Sequence, residues 1–431
     1  MKVDRYDTFT GELHRVNPSE YPPGTSLVAS IFILIGGWTS VFWMPALALI
    51  FATGFTAFML RTLSLNPAYS LIILFYPPAL VMGRIVSSDV ISAAVIAFGL
   101  WAFFYGSLNR SKPDNRAAIL WFISGLTAGL SLLFRETNAL LFLPLFLGAM
   151  IRRNKEWVWL LTGGIIGLSL RLLGSWIVFD SVLFVKEPYS FEINTIWNNL
   201  AIYLPSLLLM VPGGLIFAFL YKGERRAEVI LTILIYVSTY LTYSYSGQES
   251  GGLIRWVLGP RFFIPLLPLF ALVAADSVPR LIRDFSIQGT TVGRFKILFM
   301  TLLIAIILST QLYMHDWLQP HRDIQNVIVE KVPGNSIVIM NNEATLTYIS
   351  ELQGYHTRIN FEFLTPEEAS QLDAAYIVFL QRSGSEFWRN FAVRENVFLD
   401  SVDAVNILEE QFSRDYLLKI YYIGHAETGT Y

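Results

Sequence analysis

The sequence predicts an α-helical polytopic membrane protein with about ten transmembrane helices, followed by a small C-terminal α/β domain outside the cytoplasm. Three observations carry this. The 431 residues are 54% hydrophobic and only 15% charged, with a mean hydropathy of +0.50, which is unusual for a soluble chain of this length. Apolar runs of membrane-spanning length follow one another from residue 38 to residue 314. From His315 onward the pattern changes to short strand-like and helix-like segments.

Taken in order, the runs read as crossings are 38–61, 67–83, 88–107, 117–134, 137–151, 156–178, 198–221, 228–244, 261–280 and 297–314. The stretch 26–36 is too short to span and reads as an interfacial or re-entrant helix. Basic residues set the direction. One set of connections, from Arg61 through Lys296, holds 14 of them, and the alternate set holds five: Arg84, Arg135, Lys186, Arg255 and Arg261. The first set is therefore cytoplasmic. This makes 1–25 an external N-terminal segment, 26–314 the membrane domain and 315–431 an extracytoplasmic domain. The first residues carry no signal-peptide pattern, so an external N-terminus is expected to follow either from a helix ahead of the given start or from translocation of the early segment without a signal.

Within 315–431, "NSIVIMNN" (335–342), "AAYIVFLQR" (374–382) and "LLKIYYI" (417–423) read as buried strands. "TPEEASQL" (365–372) opens a helix, with a Thr cap, Pro at the first helical position and acids in the first turn. The net charge of −2 gives no basic field for nucleic acid. The chain has no cysteine, so disulfide and thiolate chemistry are excluded.

Charges beside the membrane are the informative residues. Asp89 either caps its helix or faces an external cavity. Arg135 and Glu136 either pair and mark a tight external turn, or Arg135 offers its fork of donors to a phosphate. Arg171 lies mid-span, where snorkelling is poor, and reads as a structural pair within the bundle. Arg255 and Arg261 flank the Gly259–Pro260 break, and Pro265 and Pro268 imply a kinked helix beside a cavity. Both arginines either hold a lipid phosphate or anchor the helix at the headgroups.

Four stretches together resemble the GT-C membrane glycosyltransferases, in particular the protein mannosyltransferase-like group that uses polyprenyl-phosphate sugars. They are "SEYPPGTSLVASIFILIGG", "VSSDVISAAVIAFGLWAFF", "GLTAGLSLLFRETNALLFLPLFL" and "GGLIRWVLGPRFFIPLLPLFALVAA". They cover about residues 18–280, in order and on one membrane side. The resemblance implies a glycosyltransferase, a hexosyl- or pentosyltransferase, moving a sugar from a polyprenyl-phosphate donor to an extracytoplasmic glycan, lipid or protein acceptor, with no metal and no cofactor beyond that donor. It implies that Arg135 and Arg261 hold the lipid phosphate and that Arg255 assists. Asp89 would contact sugar or acceptor as a catalytic carboxylate, and Glu20, Tyr21 and Glu136 would line the cavity. The family's main catalytic aspartate stands in a first external loop well before the proline pair. Here Pro22 is too near Met1 for that loop, and Asp4 and Asp7 are the aspartates available to stand in. Two other readings remain open: a flippase, polymerase or transporter of lipid-linked glycans, and a non-catalytic or truncated relative.

The charge bias makes a direct prediction. Single cysteines introduced at Ser111 and Ser246 into this cysteine-free chain label from opposite sides of intact cells with an impermeant thiol reagent. Labelling of both from one side would overturn the map.

Overall fold

The computed structural model describes residues 3–7, 12–16, 23–108, 115–152, 156–179, 191–209, 211, 214–244, 259–284, 289–334, 336–341, 344, 357–361, 364–372, 374–382, 386–412 and 416–424. The chain forms two units, Ser19–Gln311 and Met1–Pro18 together with Leu312–Tyr431.

The first unit begins with α1 (Gly24–Gly36), of whose residues only Gly24 is buried. A 3-10 turn, Trp38–Trp43, leads into α2 (Met44–Thr62). The next expected crossing, 67–83, is not one helix. It is a 3-10 turn (Pro67–Leu71), α3 (Ile72–Phe75) and α4 (Pro77–Met82). The reason is local. Pro77 and Pro78 supply no N–H, and a residue ahead of proline avoids the helical region. Tyr76 accordingly is extended, with φ −80 and ψ 112. Then follow α5 (Ser88–Leu108), α6 (Asn115–Ser131), α7 (Ala139–Ile151), α8 (Glu156–Phe179), α9 (Ile196–Leu209), α10 (Gly214–Leu220) and α11 (Arg226–Leu241). The run 198–221 is thus two helices, and Pro212 falls in the sequence between them. Another 3-10 stretch, Pro260–Leu266, continues as α12 (Leu267–Asp284). The next helix, α13, spans Gly289–Lys331 and passes through residues 314 and 315, where the sequence reading ended the membrane domain.

Among the described residues, four stretches are long and apolar enough to cross a membrane: Thr39–Thr62, Ser88–Leu108, Trp157–Gly174 and Pro260–Asp284. Others expected to cross are shorter or broken. Large apolar side chains cover the outside of the bundle, with Ile50, Phe51, Ile165 and Trp176 all more than half exposed. Such a surface is stable only in lipid or against a partner, as in a polytopic membrane protein.

The closest approach in the bundle is between α6 and α8. Gly125 and Gly129 on α6 face Gly163 and Gly167 on α8, each helix carrying the G-x-x-x-G spacing. A methyl group at Gly129 would lie 2.6 Å from the Gly164 carbonyl oxygen, and one at Gly167 2.5 Å from that of Leu126. In lipid no hydrophobic force joins two apolar helices, so close backbone packing through small residues has to do so.

In the second unit, β1 (Val3–Asp7) pairs antiparallel with β2 (Glu12–Val16). A separate five-stranded sheet has the order β4-β3-β5-β7-β6, formed by β3 (Ile337–Met340), β4 (Thr357–Asn360), β5 (Ala374–Arg382), β6 (Ala404–Gln411) and β7 (Tyr416–Gly424). Strands β4, β3 and β5 are parallel, and β5–β7 and β7–β6 are antiparallel. Along β5, Tyr376, Val378 and Leu380 pack with Ile324 and Ile328 of α13. Ala375, Ile377 and Phe379 pack on the other face with Phe398 of α15 (Glu386–Ser401). Both faces are covered, which is why β5 reads as a continuous apolar run. Helix α14 (Pro366–Ser370) starts with a capping box, the Thr365 side chain taking the Glu368 N–H while Glu368 takes the Thr365 N–H.

Gly163→Val tests the helix contact, because its side chain meets the Phe122 carbonyl oxygen and the Leu126 nitrogen. The cost is about 1–3 kcal/mol of overpacking, seen as a lower melting temperature in detergent. Gly174→Val, on the same helix with open space around it, melts close to the wild type. Equal melting of the two variants would overturn the packing argument.

Candidate functional site

The site grows from the turn between α6 and α7. A helix end leaves carbonyls without partners, and this one is closed by groups from three directions. Asn138 Nδ2 donates to the Ser131 carbonyl at 2.9 Å and to Ser92 Oγ at 3.1 Å. Arg171 Nε donates to the Leu132 carbonyl at 3.2 Å. The Gly24 N–H donates to the Leu133 carbonyl at 2.7 Å. A side chain at Gly24 would collide with Leu133, so this approach needs glycine.

Arg135 follows in extended conformation, with φ −157 and ψ 135, ahead of the 3-10 turn Glu136–Asn138. Arg135 and Glu136 do not pair with each other in the described contacts; they take separate partners. Arg135 reaches α5 and α11. Its Nη2 lies 2.7 Å from Asp89 Oδ1, its Nε donates to Ser88 Oγ at 3.4 Å, and its Nη1 donates to the Tyr240 hydroxyl at 3.2 Å. Glu136 Oε1 lies 3.5 Å from Nη2 of the buried Arg171, which is the bundle pair expected for that mid-span arginine.

Arg261 enters from the 3-10 stretch before α12, its Nε 3.8 Å from Asp89 Oδ2. That stretch is broken helix, and its carbonyls are claimed by buried tyrosines. Tyr76 donates to the Pro260 carbonyl at 2.8 Å, and Tyr236 donates to the Phe262 carbonyl at 3.1 Å. Membrane-embedded helix breaks persist only with such replacements. The Phe262 ring lies beneath both cations, 4.7 Å from the Arg135 guanidinium carbon and 5.3 Å from that of Arg261. Tyr240 stacks on the same ring at 4.9 Å and 8°.

The electrostatics are lopsided. Two guanidinium groups share one carboxylate. The Asp89 side chain is 2% exposed, while Arg135 is 18% and Arg261 27% exposed. The acid lies underneath and the cations reach outward. Chemically such an arrangement can receive an anion, with planar N–H donors over an aromatic face.

Of the residues singled out from sequence, Asp89, Arg135 and Arg261 come together here. Glu136 borders the turn and engages Arg171. Glu20, Tyr21 and Arg255 lie outside the described residues. Asp7 ends β1, opposite Glu12 in the second unit, and Asp4 pairs with Arg15 in the same two strands; their side chains lie outside the described set. Sequence reasoning missed Tyr240, Phe262, Ser88 and Thr137. "YVSTYLTYSYS" (236–246) held a signal, since hydroxyl-bearing residues crowd the end of an otherwise apolar run.

The fold has counterparts among solved structures. Two solved structures of ArnT from Cupriavidus metallidurans share it. The apo structure aligns with a TM-score of 0.58 at 13% identity, over 94% of this chain and 87% of that one. The structure bound to undecaprenyl phosphate aligns with a TM-score of 0.59 at 12% identity, over 96% of this chain and 89% of that one. At this identity the likeness is one of fold. No protein-family model and no curated protein matches the sequence.

Asp89→Asn tests the counter-ion geometry. It leaves two neighbouring guanidinium groups without their shared carboxylate. Removing one partner of a buried pair costs about 3 kcal/mol, seen as a lower melting temperature in detergent. Combined with Arg135→Gln, the loss is smaller than the sum of the two single losses. Strict additivity would mean that Asp89 does not serve Arg135.

Proposed function

We propose that the chain is an integral membrane glycosyltransferase that moves a sugar from a polyprenyl-phosphate donor to an acceptor outside the cytoplasm. The observation that carries this reading is the Arg135–Asp89–Arg261 cluster, two outward guanidinium groups steadied by one buried carboxylate. It lies in a fold shared with ArnT, one structure of which holds undecaprenyl phosphate. The charge bias of the connections supports ten crossings, with the cluster and residues 315–431 on the outer side.

In this reading the anomeric C–O bond breaks and its electron pair leaves with the phosphate. Charge builds on the phosphate oxygens, which is where fixed donors stabilise a transition state more than a ground state. Arg135 and Arg261 supply those donors. The acceptor hydroxyl attacks the anomeric carbon and gives its proton to a general base. Asp89 is not that base. Its carboxylate is buried and engaged by two cations, so it acts as their counter-ion, and the base is another carboxylate. A transporter of lipid-linked glycans would also hold lipid phosphate; sugar transfer to an added acceptor separates the two.

Arg261→Lys keeps the charge and loses the planar fork. Binding of undecaprenyl phosphate to the purified protein then weakens about tenfold, the scale of one charge-assisted hydrogen bond. Arg261→Ala weakens it further without loss of folding in size-exclusion chromatography. Unchanged binding in Arg261→Ala would make the arginine a headgroup anchor only.

A further inference from the structure

We propose that Tyr240 is a positioning residue for the donor phosphate, holding Arg135 at one end of a tyrosine–phenylalanine plate that carries both arginines. This rests on the donor reading above.

A guanidinium has five N–H donors. On Arg135, Ser88 takes one from Nε and Tyr240 one from Nη1, while Nη2 forms the ion pair with Asp89. Asp89 and Ser88 both belong to the first turn of α5. On those two alone the group could still pivot about the α5 edge. Tyr240 comes from α11 and closes that freedom from the other side. The remaining donors on the terminal nitrogens then have fixed directions for an incoming anion.

Tyr240 is itself held. It is 2% exposed. Its hydroxyl shares a hydrogen bond with Thr137 Oγ1 at 2.7 Å, two residues after Arg135. Its ring stacks on Phe262, the neighbour of Arg261 in sequence, and the Phe262 ring lies beneath both cations. One side chain therefore links the turn that bears Arg135 to the segment that bears Arg261. The attraction of a cation to a ring face and the stacking of the two rings both depend on this alignment. Tyr240 touches no described outward surface in its own right, so its effect on a ligand passes through the arginines.

The test is binding of undecaprenyl phosphate to the full chain in detergent or nanodiscs. Tyr240→Phe keeps the stack and removes the hydroxyl. It binds about tenfold more weakly than wild type, as for loss of one hydrogen bond to a charged group. Tyr221→Phe is the control. It deletes another buried hydroxyl, whose bond goes to the Glu224 carbonyl in a different connection, and it binds like wild type. In a double-mutant cycle, the losses from Tyr240→Phe and Arg135→Lys are not additive, a coupling that general destabilisation does not give. If Tyr240→Phe fails to fold, Phe262→Leu takes its place in the same cycle with the same expectation. Wild-type-like binding in these variants, or additive losses, would overturn the positioning role. A wild-type chain that does not bind undecaprenyl phosphate would overturn the donor reading itself.

Discussion

A carboxylate buried in the apolar part of a helical bundle needs a cation, and the Asp89 side chain has two within reach. Taking a charge out of water costs several kcal/mol that only close partners offset. Asp89 is therefore a constraint on three parts of the chain at once. It requires that the α6–α7 turn bring Arg135 to the start of α5. It also requires that the helix ahead of α12 open at Pro260, so that Arg261 arrives from a third direction. Much of the bundle's irregularity follows from meeting these demands. Arg171, on α8, closes the Leu132 carbonyl. Tyr76 and Tyr236 supply the hydrogen bonds that the broken helix at Pro260 and Phe262 gives up.

The parts of this arrangement legible in the sequence were those that obey local rules. Apolar length marked most of the helices, and Thr365–Pro366 marked the start of α14 through its cap. The continuous run 374–382 marked a strand covered on both faces. Arg135, Arg261 and Asp89 stood out because charge is rare in such runs. What local pattern does not carry is partnership. Arg135 and Glu136 are adjacent in sequence yet take partners on α5 and α8, because an extended residue sends successive side chains to opposite sides. Tyr240 looks like any apolar-helix tyrosine until Phe262, 22 positions later, lies against it. Apolar length also cannot see proline chemistry within a run, so 67–83 reads as one crossing where the chain makes three short pieces. Strands β4 and β6 were missed for a different reason. They are the edge strands of the sheet, and most residues of β6 are exposed, so no apolar run marks it.

The basic residues used to orient the chain illustrate the same divide. Arg152 and Arg225 counted toward the cytoplasmic side as point charges. In the structure they flank Glu228, at 2.6 Å and 3.6 Å, and Arg225 also lies 5.3 Å over the Phe103 ring. Gly148 leaves the room that the Glu228 carboxylate occupies. That cluster, like the one at Asp89, has two arginines around one buried acid. The difference is in what reaches outward. Arg152 is 45% exposed, but Arg225 is buried with the acid, its side chain 1% exposed, and it ties the start of α11 to α5. At Asp89 neither arginine is sunk to that depth.

In the proposed function, what suits the Asp89 cluster to an anion is that both of its arginines stay partly open, where one at Glu228 is sunk beside the acid. Two arginines that each keep part of their surface open, over one acid that is closed off, leave positive potential on the accessible side only. The low-dielectric helices around them limit screening and so strengthen that field. An anion with several oxygens arranged in space matches it better than a single carboxylate, because each guanidinium presents planar, directional donors. The aromatic plate of Tyr240 and Phe262 completes the arrangement. It supports the two cations side by side without adding a negative charge that would cancel the field the anion is to meet.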